Sequence, residues 1–306
     1  MTQIAKQNQE TKTLLSLTND AVLKLYFTKE ENIEQLKQFL KAATHLTDDD
    51  LAIVQIKNSV LTKEHVLDKD FIVDIRLTST SGHQINIEMQ MRNHDAFIDQ
   101  MVSYNARQFA SQLSRGENYT NLKEVISLII VDFEMFDDTD DFCEHILFRR
   151  KNRKIFTKAQ QFYIIDLTKL PKELTETKHK WGALFKSKTE EGLKMLMEES
   201  EEMRIAGEKL LKLSEDECAQ EIARARADSQ WAWNYTLRAT EERARKEGCE
   251  EAREEAREKS EADKLEIAKS LLRANMPIEE ISKHVKISVE KVEELTLKGG
   301  SRYESN

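Results

Sequence analysis

The chain has 306 residues, with 47 Lys and Arg against 56 Asp and Glu, so its formal net charge is −9. The charged fraction of 34% exceeds the usual ~25%, so part of the chain is expected to lie outside any hydrophobic core. The length allows two domains, or one domain with an extended appendage. The 3 cysteines are far apart and form neither a disulfide framework nor a zinc pattern, which favours a reducing, cytoplasmic location.

The sequence contains no segment typical of membrane insertion. The N-terminal twelve residues lack an apolar stretch, so no secretory signal is expected. The longest nearly apolar run, Val125–Val131, is far shorter than the ~20 residues that span a bilayer. The negative net charge argues against indiscriminate binding of nucleic acid but leaves room for a local basic patch.

Residues 1–185 are predicted to form one α/β domain. Apolar spacing predicts a helix within Thr28–Ala43 and another over His94–Arg115, stopped at Gly116. Alternating or continuous apolar runs predict strands at Leu51–Leu61, Phe71–Thr78, Gln84–Met91, Val125–Phe133, Glu144–Phe148 and Gln161–Leu167. The run that begins at Val125 is almost entirely apolar, as expected of a strand covered on both faces.

Residues 186–264 are predicted to form a charged helical spacer. In residues 241–264, 17 of 24 side chains are charged, and Glu and Arg recur three or four positions apart. Apolar positions are sparse, so this helix is expected either to act as an exposed spacer or to pair with a copy of itself. Trp231, Trp233 and Tyr235 are expected to anchor helix packing rather than to stack on bases. A fragment ending after about Lys188 is therefore expected to fold as a monomeric head.

Residues 265–306 are predicted to form a small helical unit. Its three amphipathic segments are Leu265–Ala274, Ile278–Val285 and Val289–Leu297, and Ser288 suits an N-cap. Two interpretations stay open: a helix-turn-helix-like unit, or a helical cap that docks on a neighbour. Helices this short are marginal alone in water, so we expect a homodimer in which the tail sets the spacing of two heads.

The most informative segment is a predicted β-hairpin within Phe71–Met91. Closing its turn about Ser81, with Gly82 at a position that favours φ > 0, pairs Ser79 with His83. Because side chains alternate between the faces of a strand, counting outward places Asp74 opposite Glu88 on the same face.

Two opposed carboxylates repel each other, and a divalent cation between them reverses the sign of that interaction. Mg²⁺ takes carboxylate oxygens and keeps water and phosphate oxygens as its other ligands. Gln90 shares the face of Glu88 and suits the orientation of a water or a phosphate oxygen. The alternative is a polar sheet face open to solvent, on which Asp74 pairs with Arg76 or a lysine, since the spacing also arises by chance.

Four motifs follow one another in the first 170 residues. They are Asn19, Asp20, Lys24 and Phe27; Val73 and Asp74; Gly82 and Ile85 to Gln90; and Gln112, Leu113, Gly116 and Tyr119. This ordered set resembles the Rpn family of recombination-promoting nucleases, also called PD-(D/E)XK nuclease family transposases, over about residues 15–170. The resemblance implies a restriction-endonuclease-like core, a mixed central sheet flanked by helices, and Mg²⁺-dependent cleavage of double-stranded DNA, with Mn²⁺ as an alternative ion.

Carried onto this chain, the resemblance makes Asp74 and Glu88 the metal-binding acids. It places Gln90 where the wider superfamily has a catalytic lysine, and it makes Asp20 a candidate auxiliary ligand of the metal or its water. Gln100 stands where relatives often have an arginine, so Lys24 or Arg107 is expected to supply the phosphate contact.

Six positive charges within ten residues form a candidate contact with the DNA backbone, although basic loops are also common on acidic proteins. These residues are Arg149, Arg150, Lys151, Arg153, Lys154 and Lys158. The histidines His83, His94 and His145 show no ligand spacing and are expected at the surface.

Two functional hypotheses follow from the sequence. The first is a Mg²⁺-dependent DNA endonuclease that hydrolyses phosphodiester bonds in recombination. The second is a catalytically silent adaptor or DNA-docking protein that self-associates through its helical tail. Motif order favours the first hypothesis, and the glutamine at position 90 and the net acidity leave room for the second.

Overall fold

The computed structural model describes residues 14–57, 60–61, 71–72, 74–94, 96–114 and 116–300. The chain packs into two compact units, Met1–Ser229 and Gln230–Asn306. Val73, one of the motif positions, lies outside the described residues. Within the described part, no helix is both long and apolar enough to cross a bilayer.

Six strands of the first unit form one mixed sheet in the order β1-β4-β5-β6-β8-β7, and β2 pairs with β3 as a separate ribbon. The strands are β1 (Val54–Lys57), β2 (Val60–Leu61), β3 (Phe71–Ile72), β4 (Ile75–Ser79), β5 (Gln84–Gln90), β6 (Val125–Val131), β7 (Cys143–Arg149) and β8 (Ile155–Asp166). Strands β5, β6 and β8 are parallel, whereas the β1–β4, β4–β5 and β7–β8 pairs are antiparallel. The predicted strands 51–61 and 71–78 therefore each divide between the main sheet and the ribbon.

The helices of the first unit lie on both faces of this sheet. They are α1 (Asp20–Thr28), α2 (Ile33–Ala43), α3 (Phe97–Ala110), α4 (Thr177–Lys186), α5 (Glu190–Met197), α6 (Glu201–Ser214) and the beginning of α7 (Glu217–Arg273). Asn19 caps α1 by accepting the N–H groups of Ala21 and Val22. Helix α3 ends at Ala110, six residues before the predicted stop at Gly116.

All seven residues of β6 are buried, as predicted for a strand covered on both faces. The main core packs α1, α2, α4 and α6 against one face, with Phe27, Phe39 and Trp181 fully buried at its centre. A smaller core packs α3 against the other face through Phe97 and Met101. The predicted α/β class, with a mixed central sheet between helices, is confirmed.

Helices α5 and α6 belong to this core, not to a spacer. Leu193, Leu210 and Leu213 are buried in it, and so are Ala219 and Ala223 from the first turns of α7. The boundary between the two compact units therefore lies near residue 229 and not near residue 185. The expectation that the chain folds independently up to about residue 188 conflicts with this arrangement, because each helix of the segment 190–214 contributes one apolar face to the core.

The second unit contains the rest of α7, a single helix of 57 residues in all, with α8 (Ile278–Val285) and α9 (Val289–Gly300). A small core of Ala268, Ile281, Val285 and Val292 joins the three helices. Lys286 has a φ of 54° and ends α8, and Ser288 Oγ then accepts the Lys291 N–H as predicted for an N-cap. The long charged tail and the small helical end are confirmed.

The side chains exposed on the second unit bear on the two interpretations of its function. The first half of α9 carries the acidic residues Glu290, Glu293 and Glu294, so this helix offers little attraction to a phosphate backbone. Trp231 and Tyr235 are 69% and 66% exposed and stack on each other with ring centroids 5.7 Å apart. Within the described part of the unit, this pair does not anchor the packing of helices.

Candidate active site

The β4–β5 hairpin has the predicted register. Thr78 pairs with Gln84 and Ile75 with Ile87, and the Ser79 N–H donates to the His83 carbonyl at 3.0 Å. Gly82 adopts a φ of 84°, which allows the three-residue turn to close. One position beyond the last pair, the sheet brings Asp74 opposite Glu88.

Reciprocal hydrogen bonds fix the two acids against each other. The Asp74 backbone N–H donates to Glu88 Oε2 at 3.2 Å, and the Met89 N–H donates to Asp74 Oδ2 at 2.7 Å. Each carboxylate is thus oriented by the backbone of the opposite strand. Both side chains are partly buried, so the hairpin presents two fixed carboxylates with restricted access to water.

The environment disfavours ionisation of both acids. Burial raises the pKa of Asp74 to about 6, and the negative charge of Asp20 adds to this, while the Met89 N–H opposes it. Burial also raises the pKa of Glu88 well above its usual range, with the charge of Asp74 as the next cause. A divalent cation between them would remove both causes, because it replaces lost hydration and neutralises the repulsion.

The polar face of the hairpin is covered and not open to solvent. Asn86 is 3% exposed and Ser127 is 4% exposed beneath α3. Asn105 of α3 donates to Ser127 Oγ at 3.0 Å. Among the described residues, no ion pair joins Asp74 to Arg76. The alternative of a solvated face with an Asp74–Arg76 pair therefore does not describe this structure.

Gln90 lies at the end of β5 on the face of Glu88, as predicted. Its side-chain Nε2 donates to the Arg92 carbonyl at 2.9 Å, which fixes the orientation of the amide. The amide oxygen then faces away from that carbonyl, and an amide in this place can accept from a water or donate to a phosphate oxygen.

Asp20, the first residue of α1, is bound by an arginine that sequence reasoning missed. Arg226 of α7 donates from Nε to both carboxylate oxygens of Asp20 at 2.8 Å, and its Nη2 also contacts Oδ2. Arg226 and Lys24 both lower the pKa of Asp74, so the structure brings two cations to the acids. No local motif marked Arg226, which is separated from Asp20 by 206 positions in sequence.

The predicted DNA-binding residues lie at different distances from these acids. Lys24 is exposed on α1 near Asp74, whereas Arg107 lies on α3, three residues after Tyr104. The basic residues from 149 to 154 form the exposed tip of the β7–β8 hairpin. Ile164 of β8 aligns through Ile129 with Glu88. Strand β7 covers the stretch from Ile164 to Lys154 with the six steps from Glu144 to Arg150, because β8 is bulged there, so the tip lies roughly 20 Å along the sheet from the level of Glu88.

His94 and His145 are exposed, as predicted, and His83 is partly buried. His83 and His145 both lie beside His45, with ring centroids 6.5 and 6.2 Å away, and the rings of His145 and Tyr163 stack at 4.0 Å. His45 Nδ1 lies 2.7 Å from the Tyr163 hydroxyl. Among the residues that the structure describes, no group of three or more His, Cys, Asp or Glu side chains is arranged to hold a metal ion.

Comparison with known families adds to this geometry. A family model described as PD-(D/E)XK nuclease family transposase matches residues 17–240. The chain belongs to this family. The match contains the acidic hairpin, the whole sheet and the first turns of α7 that carry Arg226. No curated protein and no solved structure matches the chain significantly.

Membership of the PD-(D/E)XK family suggests a nuclease or transposase-like function, which implies phosphodiester hydrolysis with DNA as the substrate. Nucleases of this family typically use a divalent metal. The donor set in this chain suits a hard cation, since Asp74 and Glu88 offer carboxylate oxygens and Gln90 an amide. Two protein carboxylates also leave several coordination positions for water and phosphate oxygens, as Mg²⁺ requires.

Proposed function

We propose that this protein is a Mg²⁺-dependent DNA endonuclease whose acids are Asp74 and Glu88. The observation that carries the proposal is the opposed pair of carboxylates, each held by the backbone of the other strand and each with a raised pKa. A sheet built only for stability avoids such a pair, because like charges directly opposite each other are destabilising.

In this proposal Asp74 and Glu88 would hold the cation as carboxylates, through their free oxygen atoms. The cation, when bound, would lower the pKa of a water and stabilise charge on the scissile phosphate. Gln90 orients the attacking water or a phosphate oxygen. Lys24 lies beside Asp74 and contributes positive charge toward the DNA backbone.

The test is a cleavage assay with the full chain and supercoiled plasmid DNA. Cleavage in Mg²⁺ or Mn²⁺, and none in EDTA or with Ca²⁺ alone, is the expected result. Nicked and linear products are quantified separately, so the assay also distinguishes one cut strand from two. Absence of cleavage on plasmid, single-stranded and branched DNA, with folded protein and either metal, would contradict the proposal.

Gln90→Lys should retain cleavage, because the wider superfamily uses lysine at this place and a lysine can also contact water and phosphate. Gln90→Ala should slow cleavage by roughly 10–100-fold, since one orienting group is lost. Calorimetric titration with Mn²⁺ should give nearly the same affinity for both variants and the wild type. A large loss of Mn²⁺ affinity in Gln90→Ala would assign Gln90 to the metal and not to the water.

The basic tip of the β7–β8 hairpin is proposed as a second DNA contact, away from the acids along the sheet. Replacing Arg150, Lys151 and Lys154 together with alanine should reduce the salt dependence of DNA binding by about three phosphate contacts and weaken binding to all sequences alike. Fluorescence anisotropy over a salt series measures this slope. An equal change in a control that loses three exposed lysines elsewhere would show a net-charge effect only. That control removes Lys172, Lys188 and Lys194.

Self-association through the tail is supported by one specific observation. Trp231 and Tyr235 are large aromatic side chains that stay exposed on the long helix, and an exposed aromatic pair at this spacing suits burial against a second copy. A dimer would place two nuclease sites on one duplex. The adaptor hypothesis uses the same contact without catalysis, and the plasmid assay distinguishes the two.

A further inference from the structure

Helix α7 enters the candidate active site on a fixed helical face. Ala219 and Ala223 of this helix are buried in the main core, and Arg226 follows at i+7 on the same face. Asn19, the cap of α1, donates from Nδ2 to the Ala223 carbonyl at 3.1 Å. The backbone that carries Arg226 is thus held at the N-terminus of α1, beside the acids.

The guanidinium of Arg226 keeps hydrogen-bond donors that Asp20 does not use. Arginine has five N–H donors in a planar fork, and the pair with Asp20 occupies those of Nε and one side of Nη2. The Arg226 side chain is 46% exposed, whereas Asp20 is 12% exposed. A carboxylate therefore anchors the buried edge of the guanidinium and leaves its outer edge toward solvent, which is an arrangement suited to a phosphate.

The charges around the acids also favour a phosphate as the ligand. Asp20, Asp74 and Glu88 carry three negative charges when ionised, and Arg226 and Lys24 carry two positive charges. A divalent cation would leave a net charge of about +1, which one phosphodiester neutralises. Loss of Arg226 lowers the charge of the site by one whether or not the cation is bound, so it weakens the attraction to the DNA backbone in either state.

Resting on the proposed nuclease function, we propose that Arg226 is a DNA-binding residue of the active site, anchored by Asp20 and contacting a phosphate beside the metal-binding acids. The first turns of the charged helix α7 then have a part in substrate binding. Arginine suits this role better than lysine, because its fork binds the carboxylate and the phosphate at the same time.

The test is binding of the full chain to a labelled 30-bp duplex in EDTA, followed by fluorescence anisotropy over a salt series. The absence of metal removes any effect of Asp20 as a metal ligand. Arg226→Ala should weaken binding roughly 10-fold and lower the salt slope by about one, and Arg226→Lys should recover part of the affinity. Arg224→Ala, an exposed arginine two residues earlier on the same helix, is the matched control.

The variant Asp20→Asn tests whether Arg226 contacts a phosphate or only forms a structural ion pair with Asp20. If Arg226 contacts DNA, Asp20→Asn should leave the salt slope near the wild-type value, because the guanidinium is kept, and any loss of affinity should be smaller than in Arg226→Ala. A salt slope lowered equally in both variants would overturn the proposal, and so would wild-type binding by Arg226→Ala. Wild-type protein that binds DNA but does not cleave it in Mg²⁺ would contradict the nuclease function while leaving this binding role in place.

Discussion

Asp74→Asn is expected to abolish DNA cleavage and at the same time to stabilise the metal-free protein. Loss of one of two metal-binding carboxylates removes several kcal/mol of transition-state stabilisation, so the rate should fall at least about 10³-fold. Asparagine keeps an oxygen that accepts the Met89 N–H, so the hairpin should stay intact. Glu88→Gln should behave in the same way, since its oxygen can still accept the Asp74 N–H.

The sign of the stability change follows from the raised pKa values. A carboxyl whose pKa is higher in the folded than in the unfolded protein favours folding while it is protonated, and this contribution is lost as the pH rises through the folded value. For Asp74 the folded pKa is about 6, against an ordinary value of 3.8. At pH 8 without metal, Asp74→Asn should therefore be more stable than the wild type by about 3 kcal/mol at most, and the difference should vanish near pH 4.

Urea denaturation in EDTA at pH 4, 6 and 8 measures this difference, and Asp49→Asn, an exposed acid, serves as the control. Addition of Mg²⁺ at pH 8 should stabilise the wild type and leave Asp74→Asn nearly unchanged. Cleavage by Asp74→Asn at close to the wild-type rate would remove this residue from the site. Equal stability of variant and wild type at pH 4 and at pH 8 would show that folding does not raise the pKa of Asp74.

A fragment that ends at Lys188 is expected not to fold, whereas one that ends at Ser229 should fold as a monomer. The shorter fragment loses large buried side chains of α5 and α6, and at roughly 1.5–3 kcal/mol each their loss is comparable with the whole stability of a domain. The five largest are Leu193, Leu196, Met203, Leu210 and Leu213.

The shorter fragment also leaves buried polar groups without partners. The fully buried Trp181 donates to Glu202 at 2.7 Å, and the Tyr26 hydroxyl donates to the Ala206 carbonyl at 2.8 Å. An unsatisfied buried donor costs about 1–3 kcal/mol, and both acceptors lie beyond residue 188.

Circular dichroism and urea denaturation of the two fragments test this prediction, and the full chain is the reference. Cooperative unfolding of the fragment 1–188 at a stability close to that of the full chain would show that α5 and α6 are dispensable. Light scattering on the same samples tests the proposed dimer: the full chain should be dimeric at micromolar concentration and the fragment 1–229 monomeric.

The pair of acids was predictable because all of its determinants are local. The alternation of apolar residues in β4 and β5 has a period of two, and Gly82 supplies the positive φ that a short turn needs, so the register follows by counting from Ser79 and His83 to Asp74 and Glu88. The buried strand β6 was predictable for a similar reason, since a continuous Ile and Val run fits a parallel strand with two covered faces.

The sequence patterns thus determined an α/β domain, the opposed carboxylates and the charged helix, and the family resemblance added the mixed sheet. Only the tertiary structure decided that α5 and α6 complete the core, that Arg226 reaches Asp20 across 206 positions, and that His83, His145 and Tyr163 lie against His45. The physical reason is that an amphipathic pattern shows that a helix has a face to bury but not which surface covers it. A charged side chain likewise shows its partner only once the packing of distant elements has brought the two together.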